Sequence, residues 1–325
     1  LGLLGGTNEE VAANLGKAAQ VYRGFGGRHP DSPRGPKALA ALGGVLLRMD
    51  RIDDAAAVFE QLAKEHPDTP EGKNSLFTLA STAIRVGQLD VARDAVQRMT
   101  DDASAYGADM LAAVGQIMLT NNLHEEARAV FQQVRANTDD ETLQEYALFG
   151  LGKSLYHLGD YPAAIEALDA LLALNDRTAL FYEAKFLLGR AHRETGQYDQ
   201  AIGALTDVFK FTRDPRMKRQ ADLELAQIQE QQGREDAAYA SYLRIALHPD
   251  PTVDAGVAAM VERAMVRAIA LGMEQAAYAD VLLLCDRFLK FFDDSEQLDT
   301  VRQARREAGL EQARRGTGSA DGSAP

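Results

Sequence analysis

The sequence holds a single cysteine, Cys285, and no tryptophan in its 325 residues. One thiol excludes an intramolecular disulfide and any cysteine-rich metal site, and its expected place is that of a small apolar filler on a helix. No apolar run approaches the roughly 20 residues that a membrane-spanning helix needs. The greasiest stretch, Val281 to Cys285, is broken at once by Asp286 and Arg287. Positive charge is in short supply, with 35 Lys and Arg against 48 Asp and Glu for a net charge of −13. That field repels phosphate backbones and anionic headgroups, which argues against nucleic acid and direct membrane insertion. There is no initiator Met and no segment with the basic start, apolar middle and small-residue cleavage site of a signal peptide. Leu1 to Gly6 reads as the tail of a first helix, as in a piece cut from a longer array.

What is present is a chain with 46% hydrophobic and 26% charged residues, enough apolar area for a folded core. Alanine is abundant and β-branched runs are few, which favours helix over strand because Ala loses no side-chain entropy in a helix. An internal repeat is visible directly. Ala18-Ala19-Gln20-Val21-Tyr22 leads to His29-Pro30-Asp31-Ser32-Pro33, and 37 residues later Ala55-Ala56-Ala57-Val58-Phe59 leads to His66-Pro67-Asp68-Thr69-Pro70. The same offset joins Leu42-Gly43 to Leu79-Ala80, and Leu151-Gly152 to Leu188-Gly189 and Leu225-Ala226, with Val114-Gly115 at a slightly shortened step. Self-similarity at such a period marks a stacked array.

Each unit continues from its small residue to a turn signal, at Asp50, Gly87, Asn122, Gly159, Gly196 and Gly233, and then to an alanine followed four residues on by a bulky one. The pairs are Ala55/Phe59, Ala92/Val96, Ala127/Phe131, Ala164/Leu168, Ala201/Leu205 and Ala238/Tyr242. This predicts two antiparallel helices around one turn, since close helix packing needs a small side chain opposite a large one. Pro67 and Pro249 fall just past second helices, which proline cannot continue. Toward the end, Ala258–Ala270 and Ala276–Phe292 read as a longer hairpin, and Leu298–Arg315 as a polar terminal helix able to cap a solenoid.

The Leu-Gly, Ala-x3-Phe and Pro signals at these spacings resemble the tetratricopeptide (TPR) repeat from about Gly5 to Phe292. Two features depart from the consensus: Leu39, Leu76 and Leu148 stand where a first-helix Trp belongs, and the period is longer than the usual length of about 34. The surplus lies in inter-hairpin loops such as His66 to Gly72. This long-loop form is similar to that of bacterial envelope proteins such as outer-membrane assembly lipoproteins and Tol-Pal coordinators, which implies a periplasmic or envelope location rather than a cytoplasmic one. The resemblance implies an all-α, right-handed α-solenoid of about seven to eight hairpins with a C-terminal capping helix. The domain reading is a single continuous superhelix over residues 1–310, followed by a disordered tail, 311–325, rich in Gly, Ser, Ala and Asp.

Nothing in the sequence points to catalysis, a cofactor or a metal. Gly150-Leu151-Gly152-Lys153-Ser154 ends like a phosphate-binding loop, but Ala147 stands where that motif needs glycine and the segment lies inside a helix whose N–H groups are already used. The six histidines form no HxxxH pair: His29, His66 and His248 sit in equivalent loops, while His124, His157 and His192 fall on different hairpins. Acidic pairs such as Asp101-Asp102, Asp139-Asp140 and Asp293-Asp294 lie at hairpin junctions, where Asp caps helices.

The informative constellation is on the first helices, whose inner faces line the concave groove of this architecture. Phe149, Lys153, Tyr156 and His157 share one stripe, rotated by about 100° from the packing stripe of Leu148, Leu151 and Leu155. The next hairpin offers Phe186, Arg190 and Arg193, and an earlier one Phe77, Ser81 and Arg85. Neighbouring first helices stack, so the stripes should abut. Aromatic and basic side chains in an acidic protein suit an extended acidic or C-terminal peptide, similar in kind to the carboxylate clamp of chaperone-binding TPR domains, whose Asn and Lys pattern is not reproduced here. The expected function is a non-enzymatic scaffold or adaptor within a bacterial envelope or secretion assembly. The alternatives are a structural spacer acting through its ends, convex face or N-terminal homotypic contacts, and a glycan-processing helical-repeat enzyme. The last requires convergent carboxylates that the sequence does not display.

Overall fold

A computed structural model of the chain describes residues 8–29, 32–247 and 254–318. Among the described residues there are sixteen α-helices, one 3-10 turn at Ala103–Ala105 and no strand. The chain forms two compact units, Leu1–Thr178 and Ala179–Pro325. Unit 1 contains α1 (Asn8–Arg28), α2 (Gly35–Arg48), α3 (Ile52–Glu65), α4 (Pro70–Arg85), α5 (Leu89–Asp101), α6 (Ala108–Thr120), α7 (His124–Ala136), α8 (Glu141–Leu158) and α9 (Tyr161–Leu174). Unit 2 contains α10 (Phe181–Glu194), α11 (Tyr198–Phe211), α12 (Pro215–Gln231), α13 (Glu235–Ala246), α14 (Ala255–Glu274), α15 (Tyr278–Phe291) and α16 (Leu298–Gly318). Even-numbered helices from α2 to α14 are the first helices of hairpins and the odd-numbered ones that follow are the second. Helix α1 packs on α2, and α16 packs on both α14 and α15.

The hairpin turns lie where the turn signals predict. Asp50, Gly87, Asn122, Gly159, Gly196 and Gly233 all have φ between +56° and +82°, the left-handed region that ends a helix. The turn from α14 to α15 uses Ala276 at φ 55°, a position where no glycine or asparagine announces it.

The small-on-large joint is equally regular. Every alanine of the six Ala-x3 pairs is fully buried, and every bulky partner is buried. A Cβ added to Gly43 would lie 2.6 Å from Phe59, one on Gly115 2.8 Å from Phe131, one on Gly152 2.7 Å from Leu168 and one on Gly189 2.5 Å from Leu205. These contacts are too close for any side chain, so the glycines set the distance between the two helices. Between hairpins, the His66–Pro70 loop closes on itself: the Thr69 hydroxyl donates to the His66 carbonyl at 2.8 Å and accepts from the Gly72 N–H at 3.0 Å, capping α4. Cys285 is fully buried, and burial pushes its thiol up to about 11, as befits an apolar filler.

The terminal helix is longer than the sequence suggests. Helix α16 extends to Gly318, so residues 311–318, assigned above to the tail, continue it through a run of good helix formers, Leu310 to Arg315. Leu1–Gly6, His248, Pro249 and residues 319–325 lie outside the described residues.

Candidate interaction surface

In unit 1, α2 touches α4, α4 touches α6 and α6 touches α8, so the sides of first helices turned away from their own partners form one surface. On α8 that side carries Tyr146, Phe149, Lys153 and His157, none of them buried. On α6 it carries Ala113, Gln116 and Thr120, and on α4 Phe77, Ser81 and Arg85. The Tyr146 hydroxyl donates to Gln116 Oε1 at 2.8 Å, which ties the stripes of α6 and α8 together. Ser81 turns back on its own helix, donating to the Phe77 and Thr78 carbonyls, both at 3.0 Å. Arg85 and Lys153 have no carboxylate partner among the described residues.

Tyr156 departs from the expectation that it lies off the core. It is only 8% exposed, because α9 begins five residues later and lays Tyr161 against it, ring centroids 5.4 Å apart. His157 stays exposed and stacks on His124, at the start of α7, with centroids 4.5 Å apart and planes 10° from parallel. Burial, and then the Lys153 charge, hold His124 below the usual imidazole range.

The same side of unit 2 is built differently. Here α10 touches α12, α12 touches α14 and α14 touches α16. Arg190 crosses the Phe186 ring at 6.0 Å and places Nε 3.3 Å from Glu224. Arg193 donates to Glu224 and, at 2.8 Å, to Gln227. The Arg193 and Glu224 side chains are each 15% exposed. Six residues beyond Glu224 on α12, Glu230 accepts from Arg267 of α14 and, at 2.8 Å, from the Tyr242 hydroxyl. Burial, reinforced by the Glu224 charge, pushes the Tyr242 phenol up to about 12, so it remains a donor at any physiological pH. In unit 2, Arg190 and Arg193 therefore meet carboxylates of the neighbouring helix rather than solvent alone.

The partners Gln116, Tyr146, Glu224, Gln227 and Glu230 were not singled out from sequence. A signal for part of the set exists: one repeat after Arg193 stands Glu230, and one repeat later Arg267, an alternation of sign at equivalent positions of successive first helices. The glycine-lysine-serine segment is mid-helix, as expected. A Cβ on its first glycine, Gly150, would lie 2.4 Å from Phe131, so both glycines serve packing. Among the described residues no group of three or more His, Cys, Asp or Glu is placed to hold a metal ion, and no helix is long and apolar enough to cross a membrane.

Comparison with known families adds a second line of evidence. Tetratricopeptide repeat models match residues 38–69, 77–141, 149–215 and 186–254, together more than half of the chain. No curated protein matches it. Among solved structures, the apo form of RapI is similar over 93% of this chain and 94% of its own, with 13% identity and a TM-score of 0.54. YrrB, a TPR protein described as having an unusual peptide-binding site, is similar over 64% of this chain and 96% of its own, with 13% identity and a TM-score of 0.44. A chain of the APC/C hetero-tetramer Cut9–Hcn1 is similar over 77% of this chain, at 19% identity and a TM-score of 0.40, and the similarity spans 46% of that longer chain.

Proposed function

Because this chain belongs to the tetratricopeptide repeat family, a fold that serves as a protein-interaction scaffold, we propose that it is a non-catalytic adaptor. Its inner face, on the first helices of unit 1, holds an extended acidic segment of a partner protein. The observation that carries this reading is the state of the cations. Arg85 and Lys153 share the exposed flanks of α4 and α8 with Phe77 and Phe149 and have no carboxylate partners among the described residues, so their donors are available to an incoming carboxylate while the rings supply rigid apolar area. Tyr146 and Gln116, already bonded to each other, floor the surface between them. The setting we propose, on the likeness of the long inter-hairpin loops, is a bacterial envelope or secretion assembly.

The test is fluorescence anisotropy with a labelled peptide of Glu and Asp that ends in a free carboxylate. Arg85→Glu with Lys153→Glu is expected to weaken binding by at least about tenfold, as reversal of two ion-pairing cations should. Arg190→Gln with Arg193→Gln in unit 2 should leave the affinity within about twofold. Unchanged affinity in the unit 1 variant, with helical circular dichroism intact, would refute the reading.

A spacer role draws on a separate observation. The inner stripe of unit 2 is occupied by its own ion pairs through Glu224 and Glu230, as a wall built for rigidity would be. On that reading unit 2 stiffens the array and unit 1 alone binds.

A further inference from the structure

Unit 2 carries a basic and aromatic patch well away from the first-helix stripe. The connection from α11 to α12 spans only Thr212–Asp214, and around it lie Lys210, Arg213, Arg216 and Lys218, all exposed. Phe211 beside them is 63% exposed, the most exposed large apolar side chain among the described residues. The neighbouring Phe209 ring is flanked by Lys218 at 5.1 Å and Arg244 at 5.2 Å. Helix α12 has no acidic residue in its first turn, and its cations sit where the helix dipole disfavours them, so their placement does not serve the stability of the isolated helix. Arg216 is answered by Asp254 at 3.1 Å and Asp214 caps α12 through the Arg216 N–H at 2.8 Å. Lys210, Arg213 and Lys218 have no carboxylate partner among the described residues.

The same unit presents the complement. The connection from α15 to α16, also from a second helix to the helix that follows it, bears Asp293, Asp294 and Glu296, all exposed and without a cationic partner among the described residues. The same unit thus carries three unmatched cations beside an exposed phenylalanine and three unmatched carboxylates.

We propose that this patch docks a second copy of the chain, the Lys210–Lys218 connection of each copy meeting the Asp293–Glu296 connection of the other. An isologous pair makes this contact twice, because each copy offers both loops, and the arrangement closes instead of propagating. Phe211 supplies the apolar centre that surface charges alone lack. This association goes beyond the peptide-binding reading and does not depend on it, since neither loop contributes to the inner stripe of unit 1.

The experiment is sedimentation velocity on the full chain at about 20 mM and about 0.3 M salt, conditions that leave or screen contacts between exposed charges. The wild type is expected to dimerise at low salt and to dissociate at high salt. Two triple variants are then made: Lys210→Glu with Arg213→Glu and Lys218→Glu, and Asp293→Lys with Asp294→Lys and Glu296→Lys. Each alone should be monomeric at low salt, because like charges then oppose. Mixed in equal amounts they should form a heterodimer, since one contact is then restored with reversed sign and the other is the wild-type contact, and recovery on mixing also shows that the variants are folded. Phe211→Ala should weaken the dimer about fivefold while leaving its salt dependence unchanged, the effect of removing an apolar anchor. A wild type monomeric at low salt would overturn the proposal. So would a dimer that survives either triple variant, failure of the mixture to associate, or binding of the patch to phosphatidylserine vesicles in a chain that remains monomeric.

Discussion

In unit 1 the cations of the first-helix stripe, Arg85 and Lys153, have no carboxylate partner among the described residues, whereas in unit 2 Arg190 and Arg193 lie against Glu224. Lys153 and Arg190 occupy equivalent repeat positions. Their different states go with different neighbours, the preceding first helix for α8 and the following one for α10. Next to α8, helix α6 presents the uncharged Gln116, while next to α10, helix α12 presents Glu224, Gln227 and Glu230. The hairpin joint beneath is the same in both units: a glycine against Leu168 in one and against Leu205 in the other, with nearly equal approach. The repeat therefore maintains two independent properties. Small-on-large packing holds the helices at a fixed spacing, and the residues left on the open side are free to make that side receptive or self-sufficient.

If the joint is common property, deleting its large member should cost the same in either unit. Phe131→Ala in unit 1 and Tyr242→Ala in unit 2 remove fully buried rings, and each is expected to destabilise by about 3–5 kcal/mol in urea titrations. A much larger loss at Tyr242 would mean that the ladder it joins through Glu230, rather than its packing, holds unit 2 together. The open sides should differ more. Glu224→Ala takes from the Arg193 guanidinium, only 15% exposed, the carboxylate of α12 and leaves it Glu194 and Gln227, at an expected cost of about 1.5–3 kcal/mol. Gln116→Ala in unit 1 removes two neutral hydrogen bonds, that from Tyr146 and a long one to Thr120, and should cost no more than about 1 kcal/mol. Equal losses in these two variants would erase the distinction between a receptive face and a self-sufficient one.

The joint was legible in the sequence because its physics is local to one repeat. A glycine or alanine, a turn residue and an Ala-x3-bulky pair recur at fixed spacing, and each maps onto a buried contact or a positive φ. Ala276 escaped notice because alanine gives no sign of the left-handed conformation it adopts there. The open side was legible only in part. Helical spacing places Phe149, Lys153 and His157 on the exposed flank of α8, but Tyr156 is covered by Tyr161 of the following helix, and spacing within one helix cannot show what the next one contributes. The neutralisation of Arg193 was hidden for the same reason, since Glu224 is not at its repeat-equivalent position. Only the Glu230–Arg267 pair has a periodic trace, its members standing one and two repeats after Arg193.

The smallest expected effect concerns the basic groups gathered on unit 1. His124 stacks on His157, and its Nδ1 is buried without a hydrogen-bond partner. From α8 it faces the His157 ring and the Lys153 charge, which disfavours a second positive charge, and from its own helix Glu126 opposes that charge more weakly. Burial is the leading cause, and the folded imidazole therefore titrates below its usual value of 6.5. Above that pH the side chain is neutral in both folded and unfolded chains and contributes no pH dependence. As pH falls through 6.5 the unfolded chain takes up the proton while the folded chain resists it, so stability declines until the folded group also titrates. The urea midpoint of the wild type should drop between about pH 7.5 and about pH 5.5 by more than that of His124→Phe, which keeps a ring on His157 and removes the proton. Parallel curves for the two proteins would show that the stack imposes no penalty on the charged form. The basic cluster of unit 1 would then be as tolerant of added charge as the carboxylate-bearing face of unit 2.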